Sequence, residues 1–304
     1  MATSMVQVGD RTIEMENLDK VIFPDIGVTQ GDLLTYYHRI SGVMLPHMKD
    51  RPLTLQRFPD GIGEEGFYQK NMPDYFPGWI TAARVEVAGQ DRTQRQVICN
   101  DTATLAYLVD QGVVTVHIWQ SRSDKLHYPD RMIFDIDPPD DDFSLVCRAA
   151  RRLRELLERI ELNPYVMTTG SRGLHVAVPL ERSQRFDIVR AFAKKVAGRI
   201  AKRQPDLFTV EMRKEKREGR LFLDYLRNSY GQNSVAPYAV RALPGAPVAT
   251  PLDWQELDRD ITSRTYTVKN IFRRMGQKKD PWKNIHEHAG SLEKAKNRFD
   301  ENTA

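Results

Sequence analysis

The stretch Met132-Ile-Phe-Asp-Ile-Asp137, followed at once by Pro138 and Pro139, decides how the chain is to be read. Side chains on a strand alternate between faces, so Asp135 and Asp137 share one face while Phe134 and Ile136 share the other. The prolines stop the strand and leave the two acids at its C-terminal edge, where ligands bind in α/β sheets. Adjacent carboxylates repel unless a cation lies between them, and hard oxygen donors of this kind suit Mg²⁺ or Mn²⁺. By chance alone an Asp-x-Asp triplet is expected about once in 304 residues. Its position after an apolar strand is what favours a functional reading. The neighbouring Asp140, Asp141 and Asp142 read as loop and helix N-terminal charges, with Asp142 and Ser144 as candidate caps.

Working outward, short strand-like runs alternate with helical ones, which favours an α/β or α+β fold. The periodicity predicts helices near 30–42, 101–111, 143–161 and 185–203. It predicts strands at 53–57, 113–119, 131–136, 164–169, 174–179, 220–225 and 237–241. No repeat or low-complexity linker divides the chain, and the polar stretch from about residue 276 is expected to hug the surface or fray.

Composition narrows the class. With 40% hydrophobic and 28% charged residues the chain can bury a full core, which excludes disordered and collagen-like classes. Its two cysteines, Cys99 and Cys147, form no CxxC or Cys/His cluster, so they argue against a zinc site and suit a reducing cytoplasm. No signal peptide and no apolar run long enough to span a membrane is evident, so a soluble cytoplasmic protein is expected. The net charge of +4 hides an asymmetry, because residues 147–230 carry 20 Lys and Arg against 10 Asp and Glu. Such a block suits a polyanion, nucleic acid or triphosphate. Part of it, Arg148 to Arg159, equally fits the solvated face of a helix.

A second signal is Thr168-Thr-Gly-Ser-Arg-Gly-Leu-His175. Its glycines allow a turn whose amides form an anion nest, with the hydroxyls of Thr169 and Ser171 and the cation of Arg172 beside it. It matches neither a Walker A nor a Rossmann fingerprint. His175, alone in its strand, reads more readily as a satisfied structural histidine. A third acid, Asp224, ends the apolar run Leu221-Phe-Leu and needs a partner or a metal there. Arg241 and His117 are candidate phosphate donors, with a salt bridge and a core position as their structural alternatives.

Together these residues resemble the polymerase domain of the ATP-dependent ligase D system, in the archaeo-eukaryotic primase superfamily. The landmarks run in order: Asn17-Leu-Asp-Lys-Val-Ile-Phe-Pro24, Arg51-Pro-Leu-Thr-Leu-Gln-Arg57, Gly66-Phe-Tyr-Gln-Lys-Asn71 and His117-Ile-Trp119. The Asp135 strand, the Thr169 turn, Asp224-Tyr-Leu-Arg-Asn228, Ser234 to Leu252 and Asp280-Pro-Trp282 follow. The match spans about residues 10–288. It implies a primase-polymerase fold with a mixed β-sheet core, an RRM-like catalytic half and flanking helices. One domain over 1–290 is expected, with 1–110 contacting DNA and 5′-phosphate, 111–290 catalytic, and 291–304 a polar tail.

By that resemblance, Asp135, Asp137 and Asp224 would bind two divalent ions, manganese or magnesium. Gln56, Arg57, His117, Thr169, Arg172, His175 and Arg241 would meet the incoming nucleotide. Phe67 and Tyr68 would stack on DNA at the template break, although by themselves they read as core aromatics. The downstream 5′-phosphate would meet Asn17 and Lys20, but Gln30 stands where the family carries a second lysine, which weakens that preference. Thr169 replaces serine, Arg172 replaces lysine, and Arg227 stands where some relatives have glutamine. The implied function is a stand-alone gap-filling and end-extending polymerase of non-homologous end joining, favouring ribonucleotides over dNTPs. Its expected partners are broken DNA, a Ku-type protein and a separate ligase. A metal-dependent nuclease or a non-catalytic end-bridging module are the alternatives. The segment Thr81 to Val97, with three arginines, is a candidate loop for holding ends together.

Overall fold

The computed structural model describes residues 3–87, 89–140 and 142–301, and Asp141 and the last three residues lie outside that description. The chain is mixed α/β and forms two compact units: Met1–Asp124, Asn233–Ala249 and Tyr266–Gln277 make one, and Lys125–Gln232, Thr250–Thr265 and Lys278–Ala304 the other. The expected 1–110 and 111–290 parts follow chain order, whereas the units are assembled from interleaved segments.

The first unit is built on an antiparallel sheet in the order Asn233–Val235, Val113–Trp119, Leu53–Arg57 and Phe67–Gln69. Val113–Trp119 is nearly all buried, Thr115 included, with His117 its one half-buried residue. The helix Gln30–Met48 starts on a capping box, with Thr29 Oγ1 accepting from Asp32 N while the Asp32 carboxylate accepts from Thr29 N. Arg51, fully buried, donates to His47 O and Trp119 O, so this cation ties the helix end to the sheet. A hairpin of Thr3–Val8 and Arg11–Glu16 buries Val8, Ile13 and Met15 against Ala103 and Ala106 of the helix Thr102–Asp110. The segment expected as a loop, 81–97, is largely a second hairpin, Ala82–Glu86 with Thr93–Val97, in which Arg84 and Arg95 are cross-strand neighbours.

The expected strand at 237–241 does not form. Tyr238 takes a left-handed φ of 67°, and the Val240 N–H is claimed by Tyr37 Oη at 3.1 Å. Only an isolated bridge, Val240 to Val248, remains of the pairing.

The second unit carries a six-stranded sheet in the order Phe208–Thr209, Leu221–Asp224, Arg131–Ile136, Leu174–Pro179, Tyr165–Thr168 and Pro251–Leu252. The first pair is parallel and the others antiparallel. The helices Phe143–Arg159 and Phe186–Arg203 bury Leu153, Leu157, Phe192 and Val196. Asp142 caps the first, its carboxylate accepting from Ser144 N at 2.9 Å. On that helix Arg152 and Arg154 pair with Glu155 and Glu158, and Arg151 pairs with Asp258, so much of this basic stripe is a paired, solvated face. Residues 292–301 form a helix instead of fraying, since Leu292, Ala295 and Phe299 recur at helical spacing and are buried. Trp282 is buried and donates from Nε1 to Val166 O. Both cysteines are free and buried.

Asn228 fixes the turn that follows Leu221–Asp224. Fully buried, it accepts from Ile133 N at 2.8 Å and donates to Ile133 O at 2.7 Å and Tyr225 O at 2.9 Å. Replacing it by alanine would strand two backbone groups of the central strand without partners. Asn228→Ala is therefore expected to lower unfolding free energy by about 2–4 kcal/mol in urea titration.

Candidate functional site

The central strand Arg131–Ile136 sets the geometry of the acids. Its register places Asp135 opposite His175 on one side and opposite Asp224 on the other. Asp137 lies just beyond the strand end and is open to solvent. Strand register thus sets Asp224 beside Asp135, and Asp137 follows where the central strand ends.

Their electrostatics differ. Asp135 is buried, which by itself would raise its pKa, but the His175 imidazole and the Arg227 guanidinium outweigh that and hold it well below the usual carboxylate range. His175 Nε2 lies 3.3 Å from Asp135 Oδ1, and Arg227 Nε lies 3.1 Å from Oδ2. Asp137 is shifted upward by desolvation and by repulsion from Asp135, partly opposed by His175 and Arg172. Asp224 is also shifted upward, chiefly by burial, although its Oδ1 accepts from Leu226 N at 2.6 Å. Arg227, without a clear role in the sequence reading, stands beside His175 as a charge partner of Asp135. Its signal was its spacing: three residues past Asp224, on a single turn that returns it to the same edge.

The Thr169–Gly173 turn packs against the strand end. A Cβ on Gly173 would lie 1.9 Å from Ile136 O and 2.6 Å from Asp137 Oδ1, so only glycine lets this turn approach so closely. The Thr169 hydroxyl is engaged within the turn, donating to Gly173 O at 3.1 Å and lying 3.2 Å from Ser263 Oγ. Arg172 is exposed and donates to Pro138 O at 2.7 Å, beside Asp137. His175 is buried, with Nε2 beside Asp135.

The other expected residues lie in the first unit. A pocket of about 540 Å³ is lined by Asn17, Lys20, Gln30, Arg57, Trp79 and Asp110 among others. Asn17, Lys20 and Gln30 therefore come together although they are spread over 14 residues. Lys20 Nζ donates to Pro59 O, and the Gln30 amide donates to Glu16 O at 2.9 Å and lies 3.5 Å from Asp110 Oδ1. Asp110 is shifted upward by burial. Arg57 donates to Gln111 O, Gln69 Oε1 and Tyr75 Oη, and its guanidinium stands 5.4 Å from the Phe67 ring centre. Gln56 pairs in register with Tyr68 and Thr115, and the His117 ring lies 5.8 Å from that of Tyr68. Arg241 is partly buried, its backbone N–H donating to Pro247 O. Phe67 and Tyr68 are 46% and 62% exposed, so they are surface aromatics and not core ones. Tyr75, equally exposed, extends this surface and was not singled out from the sequence.

The acids offer hard oxygen donors, and Asp137 and Asp224 are each repelled by Asp135, a repulsion that a divalent ion would relieve. By donor chemistry the set fits Mg²⁺ or Mn²⁺. Among the described residues no three acid, histidine or cysteine groups are already spaced to hold one ion. Asp135 has its two oxygens turned to His175 and Arg227 instead. Among the described residues, too, no helix is long and apolar enough to cross a membrane.

Residues 29–282 match the family model for the LigD primase-polymerase domain, and the chain belongs to that family. It is 32% identical over 248 residues to the multifunctional non-homologous end joining protein LigD of Mycolicibacterium smegmatis, covering 81% of this chain and 32% of that protein. It is 30% identical over 272 residues to the bifunctional non-homologous end joining protein LigD of Bacillus subtilis, covering 89% of this chain and 43% of that one. The chain thus spans less than half the length of these relatives. Its fold is similar to the polymerase domain from Mycobacterium tuberculosis Ligase D in complex with DNA, with a TM-score of 0.84 and 30% identity over 91% of this chain and 99% of that one.

The opposite pKa shifts have opposite consequences for stability. Asp135, held below its unfolded value near 3.9, stabilises the fold at neutral pH and loses that contribution as pH falls through the lower folded value. Asp224, held above its unfolded value, opposes folding at neutral pH and ceases to as it protonates. In metal-free protein at pH 7, Asp135→Asn is expected to cost about 2 kcal/mol, less than a fully buried pair because the Arg227 side chain is 41% exposed. Asp224→Asn should instead raise the melting temperature. Thermal denaturation of the two variants checks the sign of each. Gly173→Ala should destabilise by about 3 kcal/mol or prevent folding, read by the same measurement.

Proposed function

We propose that the protein is a nucleotidyltransferase of DNA double-strand break repair, which fills short gaps and extends 3′ ends before ligation in non-homologous end joining. The observation that carries this reading is the edge where Asp135, Asp137 and Asp224 gather, within a chain of the LigD primase-polymerase family. Asp135, Asp137 and Asp224 would hold two divalent ions, manganese or magnesium. Bound there, such ions ease deprotonation of a primer 3′-hydroxyl and neutralise the triphosphate and departing pyrophosphate.

The protein's own residues supply the rest. Asp137 and Asp224 each bring carboxylate charge that is repelled by Asp135, and that repulsion favours cation binding over a bare site. His175 orients Asp135 from the neighbouring strand. Arg172, exposed beside Asp137, offers a planar cationic donor to a phosphate oxygen. Thr169 holds the turn that positions Arg172, and its hydroxyl would have to leave Gly173 O to reach a nucleotide. Gln56, Arg57, His117 and Arg241 are further proposed nucleotide contacts, each carrying N–H donors suited to phosphate or sugar. Exposed Phe67 and Tyr68 offer π-faces to an unpaired or terminal base, which is sequence-tolerant recognition.

Asn17, Lys20 and Gln30 line one pocket and form the proposed site for a downstream 5′-phosphate. One lysine and one neutral amide, beside Asp110, make that preference weaker than two lysines would. NTPs are the proposed preferred substrates. A Ku-type end-binding protein and a ligase are the proposed partners, and the cytoplasm the proposed location.

Extension of a labelled primer across a short gap tests the reading, with Mn²⁺ and either NTPs or dNTPs. Wild type should extend, and Asp135→Ala/Asp137→Ala should reduce the rate by at least about 10³-fold. Binding to the gap without extension by wild type would sink the polymerase assignment and favour an end-bridging module.

A further inference from the structure

The carboxylate edge already contains a cation. Arg227 Nε donates to Asp135 Oδ2 at 3.1 Å, and Asp224 and Asp137 also attract its guanidinium. The backbone on either side is fixed. Leu226 N donates to Asp224 Oδ1, and the buried Asn228 clamps the turn onto Ile133. Movement is therefore left to the Arg227 side chain, which is open to solvent on one side. Arg172 is held against Pro138 O at 2.7 Å.

A guanidinium and a divalent ion make incompatible demands on the same oxygen. The guanidinium is a spread, permanent single charge that donates hydrogen bonds. A divalent ion is a point charge of two that needs the oxygen lone pair directly and repels a cation at contact distance. We propose that Arg227 is the resident counter-ion of this carboxylate cluster and competes with the divalent ion for Asp135, so that residue 227 sets metal affinity and supports the sheet when no metal is bound. The inference rests on the metal-binding reading of Asp135, Asp137 and Asp224.

Calorimetric titration with Mn²⁺, paired with thermal denaturation in its absence and at saturation, tests the competition on wild type, Arg227→Gln and Arg227→Lys. Glutamine keeps a hydrogen-bond donor without charge, and lysine keeps charge without the planar fork. Arg227→Gln should bind Mn²⁺ on the order of tenfold more tightly than wild type. Without metal it should melt roughly 2–4 °C lower, and saturating Mn²⁺ should close that gap. Arg227→Lys should fall between the two in both measurements, an ordering that simple loss of packing would not give. Unchanged or weaker Mn²⁺ binding by Arg227→Gln overturns the proposal, as does an unchanged melting temperature without metal. Asp135→Asn serves as the control for the underlying site and should lose binding. If folded wild type and Arg227→Gln both fail to bind Mn²⁺, the metal-site reading fails and the competition falls with it.

Discussion

An ionised carboxylate inside a β-sheet must have its charge answered where it stands, and Asp135 imposes that demand on the second unit. The answer comes from both neighbouring strands. His175 reaches across from one, while the turn after the other delivers Arg227. That arrangement needs the antiparallel register that sets Asp135 opposite both His175 and Asp224, and it needs Asn228 to hold the turn. Leu223 and Ile136, paired next along the ladder, are fully buried and fix the same register by packing. Core and site are therefore set by one alignment of strands, and a slip of one residue would turn every acid to the opposite face.

The two units distribute different chemistry. In the second, charge is concentrated around the buried Asp135, and each acid differs from its neighbours in what compensates it. In the first, cations such as Lys20 and Arg57 are engaged by backbone carbonyls and side-chain oxygens around an open pocket, and aromatic rings stand exposed beside them. With its cations already hydrogen-bonded and Asp110 half-buried in its wall, that pocket would select a ligand more by shape and donor geometry than by net charge. Removing a charge there should disturb less than removing that of Asp135, which is buried in the sheet.

Much of the second unit was legible in the sequence because its elements obey strong local periodicity. The alternation in 131–136 and 174–179 and the amphipathic stripe in 143–159 gave strands and a helix at nearly their observed bounds. Asp224 was recognisable as a charge at the end of an apolar run. What was not legible depended on distant partners. Tyr238 breaks a plausible strand because Tyr37, some 200 residues away, takes the Val240 N–H. The Ala82–Glu86 hairpin has few apolar residues to announce it. The last helix is polar overall, and only three buried positions distinguish it from a tail. Arg227 was visible as a departure from the family pattern, but its ion pair with Asp135 depends on the turn that Asn228 closes.

The burial of both cysteines has a practical side. Cys99 and Cys147 sit in apolar surroundings that raise their thiol pKa values, Cys147 to about 11, so little thiolate exists at neutral pH. The folded chain is consequently a quiet background for maleimide chemistry. A single cysteine introduced on the surface near Tyr68 would take a fluorophore almost alone, and its emission could report on the exposed aromatic face without first stripping the native thiols from the core.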